Sequence, residues 1–511
     1  MLKASFGYFD KDGSEFVVTE YDSPLPLINY FWNERFISGV SQQMAGIGCF
    51  TDRPMQYMHP DTRCLIIREE NRNFYVRDDD SGEFWSPGGY PAGVNPDKFL
   101  CRHGLGYSVL ESETRGIGTT MRVFVPPDQP AEVWTVTLTN NSDQKRRISF
   151  YSFADLLLTG YEEYCDYHSH LVTSYDQSSY ALTAVNRAPE TPHPWFCAFI
   201  ASDTEPSGYD GSRGAFLGRP GTVAAPQAVA NGKMQNSTGV CERLVAALQH
   251  KYELAPGGSV TFNVAIGATD GPDTTANIAS AVFAPGEVEK QFNEVRDSLA
   301  AKYSTVKVST PDERLNYLYN GWIKRSVHLH TEVGTDTGRG FRDVMQAAWG
   351  VSSYDPEGAK EKIIDSLRHQ YAEGHTLRGW NPVDKHHYSD GPVWIAPAVD
   401  SYLKETGDYG FLDLKVPYFD TGEDTVWGHT LQSIRHSSDD TGSHGLVRMH
   451  YGDWNDSLNM IGTGGKGESV WTTIAMVFSI NTALEIVRNV IRDKALEDEL
   501  LQRRDLSLIH I

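Results

Sequence analysis

The chain has 511 residues, with 45 Lys plus Arg against 67 Asp plus Glu and a formal net charge of −22. That length exceeds the roughly 250–300 residues at which a single hydrophobic core stops growing, so at least two domains are expected. The acidic surplus repels polyanions, which argues against nucleic acid and anionic membrane surfaces as partners. Six cysteines (Cys49, Cys64, Cys101, Cys165, Cys197 and Cys241) form no C-x-x-C pair. So sparse a set points to reduced thiols and a cytoplasmic location rather than a disulfide framework. The opening Met1-Leu2-Lys3-Ala4-Ser5-Phe6-Gly7 lacks the apolar stretch of a secretory signal. We also find no run of about 18 apolar residues, so no membrane span is expected. The 11 Trp and 25 Tyr suit two uses, ordinary core filling or stacking on the C–H faces of sugar rings.

From the N-terminus the pattern is that of short strands. Arg63 to Arg68 and Ile117 to Val125 are short strand-like runs. Glu132 to Thr139 alternates, Asn140-Asn141-Ser142-Asp143 makes a turn, and Arg147 to Phe153 alternates again, which predicts a hairpin of an antiparallel sheet. Ser259 to Ala268 follows the turn Ala255-Pro256-Gly257-Gly258. Many short strands between Gly and Pro turns predict a large β-sandwich over residues 1–270.

The period then changes. A helical linker is expected over 271–308, with a helix from Ala284-Pro285-Gly286-Glu287 to about Tyr303. Thr310-Pro311-Asp312-Glu313 reads as a capping box, with Thr310 as the cap and Pro311 in the first turn. Asp355-Pro356-Glu357 repeats the signal before Ala359 to Tyr371. Pro392 to Thr406 stops at Gly407, a favourable residue just past a helix end, and Val470 to Lys494 reads as one long helix. Helix following helix without βαβ alternation predicts an α/α toroid over 309–511 rather than a TIM barrel. Six or seven helices fall short of the twelve in a closed double ring, so the expected (α/α)6 barrel is incomplete, and the last residues, Leu506 to Ile511, read as a tail after a charged stretch.

Four polar clusters interrupt these helices. Gly338-Arg339-Gly340-Phe341-Arg342-Asp343 sets arginines beside a carboxylate, a pairing that grips vicinal hydroxyls or serves as a structural ion pair. Gly379-Trp380-Asn381-Pro382 is a turn with one ring. His386-His387-Tyr388-Ser389-Asp390-Gly391-Pro392-Val393-Trp394 offers adjacent histidines, but no matching Cys or carboxylate spacing, so no metal is expected there. Asp390 before Gly-Pro also suits a helix N-cap. Tyr451-Gly452-Asp453-Trp454-Asn455-Asp456-Ser457-Leu458-Asn459 brackets an indole with two carboxylates and lacks the alternating oxygen ligands of a calcium loop. A buried carboxyl beside an indole face would keep its proton and act as an acid; a polar turn with Asx caps is the plainer reading.

Taken in order, these clusters resemble the cellobiose phosphorylase family, glycoside hydrolase family 94. Carrying the resemblance are Gly7-Tyr8-Phe9, Leu138-Thr139-Asn140, Phe341-Arg342-Asp343, the D-x-P-x-W run from Asp390 to Trp394, Lys404-Glu405-Thr406-Gly407-Asp408, Asp453-Trp454-Asn455-Asp456 and Gly467-Glu468-Ser469-Val470-Trp471. The resemblance implies that Asp456 is the general acid, that Trp454 lines a glucose subsite, and that Asp343 and an arginine, Arg339 or Arg342, contact the same glucose. Asp390 and Asp453 join the expected substrate-binding set. For phosphate the upstream helix offers Arg325 and His328, and the family's other phosphate contacts correspond to positions beyond residue 511. No cofactor is implied besides inorganic phosphate as co-substrate; the partners would be a disaccharide, phosphate and, in the intact protein, a second copy in a homodimer.

The expected reaction is inverting phosphorolysis of a β-linked gluco-disaccharide to α-glucose 1-phosphate and an acceptor sugar. Phosphate is already anionic and needs no base carboxylate, whereas an attacking water would. An inverting hydrolase on the same scaffold would need such a base, for which Glu468 is the candidate; an inactive carbohydrate-binding fragment is the third reading.

Overall fold

The computed structural model describes residues 3–4, 6–50, 64–159, 171–187, 196–240, 243–271, 274–333, 339–380 and 383–511. The chain forms two compact units, Met1–Ile323 and Lys324–Ile511.

The first unit is built on an eleven-stranded and an eight-stranded sheet. Six strands carry the argument: Cys64–Asp78 (β1), Ile117–Phe124 (β2), Ala131–Asn140 (β3), Arg146–Thr159 (β4), Leu244–Leu254 (β5) and Ser259–Thr269 (β6). In the larger sheet β3 lies between β2 and β6; in the smaller, β4 lies between β1 and β5. All of these pairings are antiparallel. The hairpin expected from Glu132 to Phe153 therefore does not exist. The partner of β3 is the strand before it, with Ile117 opposite Asn140, and the turn after Asn140 carries the chain into the other sheet. Alternation marks a half-buried strand but does not name its neighbour.

The turn between β5 and β6 makes the same crossing, and Asn140 joins the two corners. Its N–H donates to Gly258 O at 2.9 Å, and its carbonyl accepts from Gly257 N at 2.8 Å. Its side-chain amide donates to Leu254 O at 3.0 Å and Gln144 O at 2.7 Å. Between the sheets lie Phe74, Val76, Trp134, Val136, Leu138, Ile148, Phe150, Phe262 and Val264, all buried. Each such side chain contributes roughly 1.5–3 kcal/mol of burial.

The helix Glu287–Tyr303 (α1) lies on the outer face of the larger sheet, where Val288 and Phe292 pack with Phe124 and Val133. Short helical turns from Glu313 to Ile323 stay with this unit: Tyr317 Oη donates to Lys11 O at 3.1 Å and Trp322 Nε1 to Gly13 O at 3.0 Å. The expected boundary near 308 thus falls short of the compact unit's end at 323. The cap of the helix at 313 is Asp312, whose carboxylate accepts from Arg314 N at 3.0 Å; Thr310 instead donates to Asp312 O.

The second unit holds seven α-helices among the described residues: Lys324–Val333 (α2), Phe341–Val351 (α3), Pro356–Leu367 (α4), Ile395–Thr406 (α5), Val426–Asp439 (α6), Val470–Ile486 (α7) and Lys494–His510 (α8). Asp355 caps α4 with Pro356 at its first position, and Gly407 ends α5 at φ 68°, as the residue types predict. The long helix expected to Lys494 ends earlier, at Arg492 in the left-handed region, φ 61°. The 22-residue helical stretch Val470–Ile491 is long and apolar enough to cross a membrane, contrary to the expectation of no such run. It is the central helix of this unit, where Met476, Ile480, Ala483, Leu484 and Val487 pack with Val393, Ala396, Ile434, Val447 and Leu500. Residues 506–510, expected as a tail, continue α8.

Candidate active site

The site gathers around the start of α3. Gly340 precedes the helix, and a Cβ there would collide with the Asp343 carboxylate, which folds back over it. Asp343 occupies the first turn, where the helix dipole favours a negative charge. Burial pushes its pKa above the usual carboxylate range, opposed by Arg342, His330 and Arg378.

Arg342 points at two separate chain segments. Its Nη1 lies 3.4 Å from Asp390 Oδ2 and donates to the Asp453 and Trp454 carbonyls at 3.1 Å each; its Nη2 meets Asp456 Oδ2 at 2.8 Å. Burial works against the guanidinium's charge, but the Asp390 and Asp456 carboxylates outweigh it and hold the pKa above its ordinary value. The resemblance left Arg339 or Arg342 open; Arg342 reaches the cluster, while the Arg339 side chain lies outside the described residues, its backbone pairing with Trp380.

Asp390 is 1% exposed. It does not use its carboxylate to cap the following turn, as its position before Gly-Pro suggested. The carboxylate instead accepts from Trp394 Nε1 at 3.4 Å and pairs with Arg342. Burial raises its pKa to about 6 despite the guanidinium.

Asp456 differs from expectation in its surroundings. Its side chain is 57% exposed, not buried under an indole, and its carboxylate is ion-paired with Arg342. Trp454 is 48% exposed and stacks on Trp471 at 5.5 Å and 17°, and Trp471 neighbours Trp394 at 5.9 Å. Asp453 is buried and spent on its own loop: Oδ1 accepts from Asn455 N at 2.8 Å and Oδ2 from Ser469 Oγ at 2.6 Å. That bonding suits a residue shaping the loop more than one reaching a sugar.

A small open cleft lies here, lined among others by Arg342, Asp343, Arg378, Tyr388 and Asp390. Arg378 escaped the sequence reading, and Tyr388 was named within a cluster but given no role; the guanidinium of Arg378 lies 5.2 Å from the centre of the Tyr388 ring. The only local signal for Arg378 was its place beside the Gly379-Trp380 turn. Trp380 is buried and stacked on His369 at 4.0 Å, so its ring serves packing; Asn381 and Pro382 lie outside the described residues.

Arg325 and His328 are buried on α2, His328 lying 3.9 Å from Glu332, which also pairs with Lys362 at 3.2 Å. Their link to phosphate rests on the resemblance alone. Glu468 accepts from His444 N and faces His444 Nδ1, both at 2.9 Å; the first bond leads in pulling its pKa down.

Comparison with known proteins accords with this architecture. Residues 14–284 match the glycosyl hydrolase 94 supersandwich domain, and residues 300–505 the glycosyl hydrolase 94 superfamily catalytic domain. A solabiose phosphorylase of Paenibacillus borealis is 46% identical over 98% of this chain and 65% of its own length. An N,N'-diacetylchitobiose phosphorylase of Vibrio furnissii is 29% identical over 95% of this chain and 65% of its own. The chain thus spans just under two thirds of the length of these relatives. A bacterial glucoamylase solved with acarbose shares the fold, with a TM-score of 0.57 at 9% identity over 97% of this chain and 70% of that one. A β-supersandwich match followed by a match to the helical catalytic domain, together spanning most of this chain, places it in the glycosyl hydrolase 94 family.

Proposed function

We propose that the intact protein is an inverting disaccharide phosphorylase, cleaving a β-linked gluco-disaccharide with inorganic phosphate to α-glucose 1-phosphate and an acceptor sugar. The observation that carries this reading is the one guanidinium of Arg342 shared between buried Asp390 and exposed Asp456, beside a cleft and exposed indole faces. Asp343 and Arg342 suit the grip of sugar hydroxyls, one accepting and the other donating. Trp454 offers a face for a pyranose ring. Asp456 is the proton donor of the reading. Phosphate then attacks the anomeric carbon from the opposite face, the glycosidic oxygen takes the proton from Asp456, and the acceptor leaves as a neutral alcohol. No base is needed, and Glu468, occupied by His444, offers no support for a hydrolase.

Support for phosphate as co-substrate comes from the named activities of the two relatives. A cytoplasmic setting belongs to the same reading, supported by the sparse cysteines of the sequence. A homodimer of the intact protein belongs to the same reading, and sedimentation tests it. A second assignment of the acid has one observation in its favour: Asp390 is the carboxyl that burial raises to about 6.

The deciding assay supplies full-length protein with solabiose, cellobiose, diacetylchitobiose or cellobionic acid, with and without phosphate. Phosphate-dependent release of a sugar 1-phosphate is expected for at least one. Cleavage of equal rate without phosphate would replace the reading with a hydrolase, and binding without turnover with a non-catalytic role. Loss of the alkaline arm of the pH–rate profile in Asp390→Asn rather than Asp456→Asn would move the acid to Asp390.

A further inference from the structure

Behind the loop that presents Tyr388 and Asp390, the fold assembles a second cluster that the proposed reaction does not use. His375, His387, His436 and His450 come from four stretches of chain and meet within one small volume. The His387 ring stacks on His450 at 3.9 Å and 9°, and its centre lies 4.7 Å from His375 and 5.7 Å from His436. His436 stands in the last turn of α6 and Asp440 ends that helix. One ligating atom from each of His387, His436 and Asp440 lies within 4.8 Å of the others, and all three residues are half-buried.

We propose that His387, His436 and Asp440 bind a divalent transition-metal ion of the zinc class, which braces the loop bearing Asp390 against the end of α6. Two imidazoles and a carboxylate are a ligand set for such an ion, leaving a fourth position for water. Atoms bound to a tetrahedral zinc at about 2.0–2.1 Å lie about 3.4 Å apart, so the three ligands must close in by up to about 1.4 Å to complete the cage.

The protonation states suit it. A metal takes neutral imidazole. Burial, then the neighbouring His450, His375 and His436, pushes the His387 pKa down to about 3. His375 and His436 are lowered too, by burial first. At Asp440 burial opposes the charge, but the hydrogen bond from His450 leads in bringing its pKa below the usual value. His450 Nε2 sits on Asp440 Oδ2, an arrangement that orients a ligating carboxylate from the outer sphere. Arg448 lies 3.7 Å from Asp440 Oδ1, with its Nε committed to Thr441 O at 2.9 Å. The same loop is tied to the D-W-N-D segment by Tyr451 N donating to His387 O and Ser389 N to Gly452 O, both at 2.9 Å. The pair His386-His387 showed no local partner in the sequence; the spacing of His436 and Asp440, four apart near a helix end, supplies it.

The test titrates the tag-free chain with Zn²⁺ in competition with a chromogenic chelator. One zinc per chain is expected. His436→Gln and Asp440→Asn should each weaken binding at least tenfold, the low end of the 10–100-fold that even outer-sphere changes cost. The control His386→Gln, outside the cluster, should leave it unchanged. Absence of stoichiometric binding, or binding indifferent to both variants, would overturn the site. Should either variant misfold by circular dichroism, X-ray absorption on the zinc-loaded unaltered chain decides. Two imidazoles and oxygen in the coordination sphere support the proposal, and sulfur ligands or an all-oxygen sphere refute it. None of these readouts depends on phosphorolysis.

Discussion

Each compact unit holds an arginine–carboxylate cluster, and the two are built to opposite ends. In the sandwich, Arg72 and Glu132 are fully buried and paired at 2.7 Å. Glu132 Oε1 accepts from Trp134 Nε1 at 2.9 Å and Oε2 from Ser38 Oγ, while Arg72 Nη2 donates to Gly39 O at 3.0 Å. Almost every polar valence is met from within and water is shut out. In the helical unit, Arg342 spreads over one buried carboxylate, one exposed carboxylate and two carbonyls at the edge of a cleft. The same chemistry therefore separates by closure: a sealed cluster has nothing left to offer a ligand, and an open one does.

The sharpest way to break this contrast is on the open side. Asp456→Asn should cut phosphorolysis by the full-length protein about 10²- to 10⁴-fold, the usual worth of a general acid, with thermal unfolding nearly unchanged because the side chain is exposed. A steady-state assay beside a melting curve checks both halves. On the sealed side the effect should be stability alone. Glu132→Ala strands Arg72 as an uncompensated buried cation, at a cost of about 3–5 kcal/mol in denaturant unfolding. A loss under about 1 kcal/mol would mean the cluster is wetter than its burial indicates.

Asp390 lies between these extremes and can be read by pH. Folded, its carboxyl titrates at about 6 against an ordinary 3.8, so between those values the native state keeps a proton that the unfolded chain has released. Its contribution is thus largest in acid and falls away as pH rises through about 6, by roughly 3 kcal/mol in total. The difference in unfolding midpoint between the native chain and Asp390→Asn, followed from pH 4 to 7, should trace that fall; a flat difference would remove the shift. Smallest of all, Trp454→Ala should raise KM for the disaccharide about tenfold, roughly 1.4 kcal/mol, with little change in kcat. An unchanged KM would take the exposed indole out of the subsite.

Legibility followed the range of the forces involved. Period-two alternation and similar short runs placed β2, β3, β4 and β6 within a few residues, and local side-chain chemistry found the cap at Asp355 and the stop at Gly407. What alternation cannot carry is which strand lies alongside, so the crossing at Asn140 was misread as a hairpin. The second role offered for Asp390 met the same limit: its neighbours suggest a cap, but its partner Arg342 is 48 positions away and out of reach of any local pattern. The burial of Asp456 was wrong because an adjacent Trp in sequence need not cover it; Trp454 turns instead to Trp471, in a different segment. The four histidines of the second cluster, spread from 375 to 450, carry no periodic mark at all.

The corner at Asn140 ties the two layers of the sandwich into one mechanical piece. A slip of either sheet by a single residue would turn its inward side chains outward, and it would also have to tear the same amide from Leu254 and Gln144. The asparagine thus acts as a registration pin. Amide protons along β3 and β5, which belong to different sheets, should exchange with solvent through a common opening event rather than sheet by sheet.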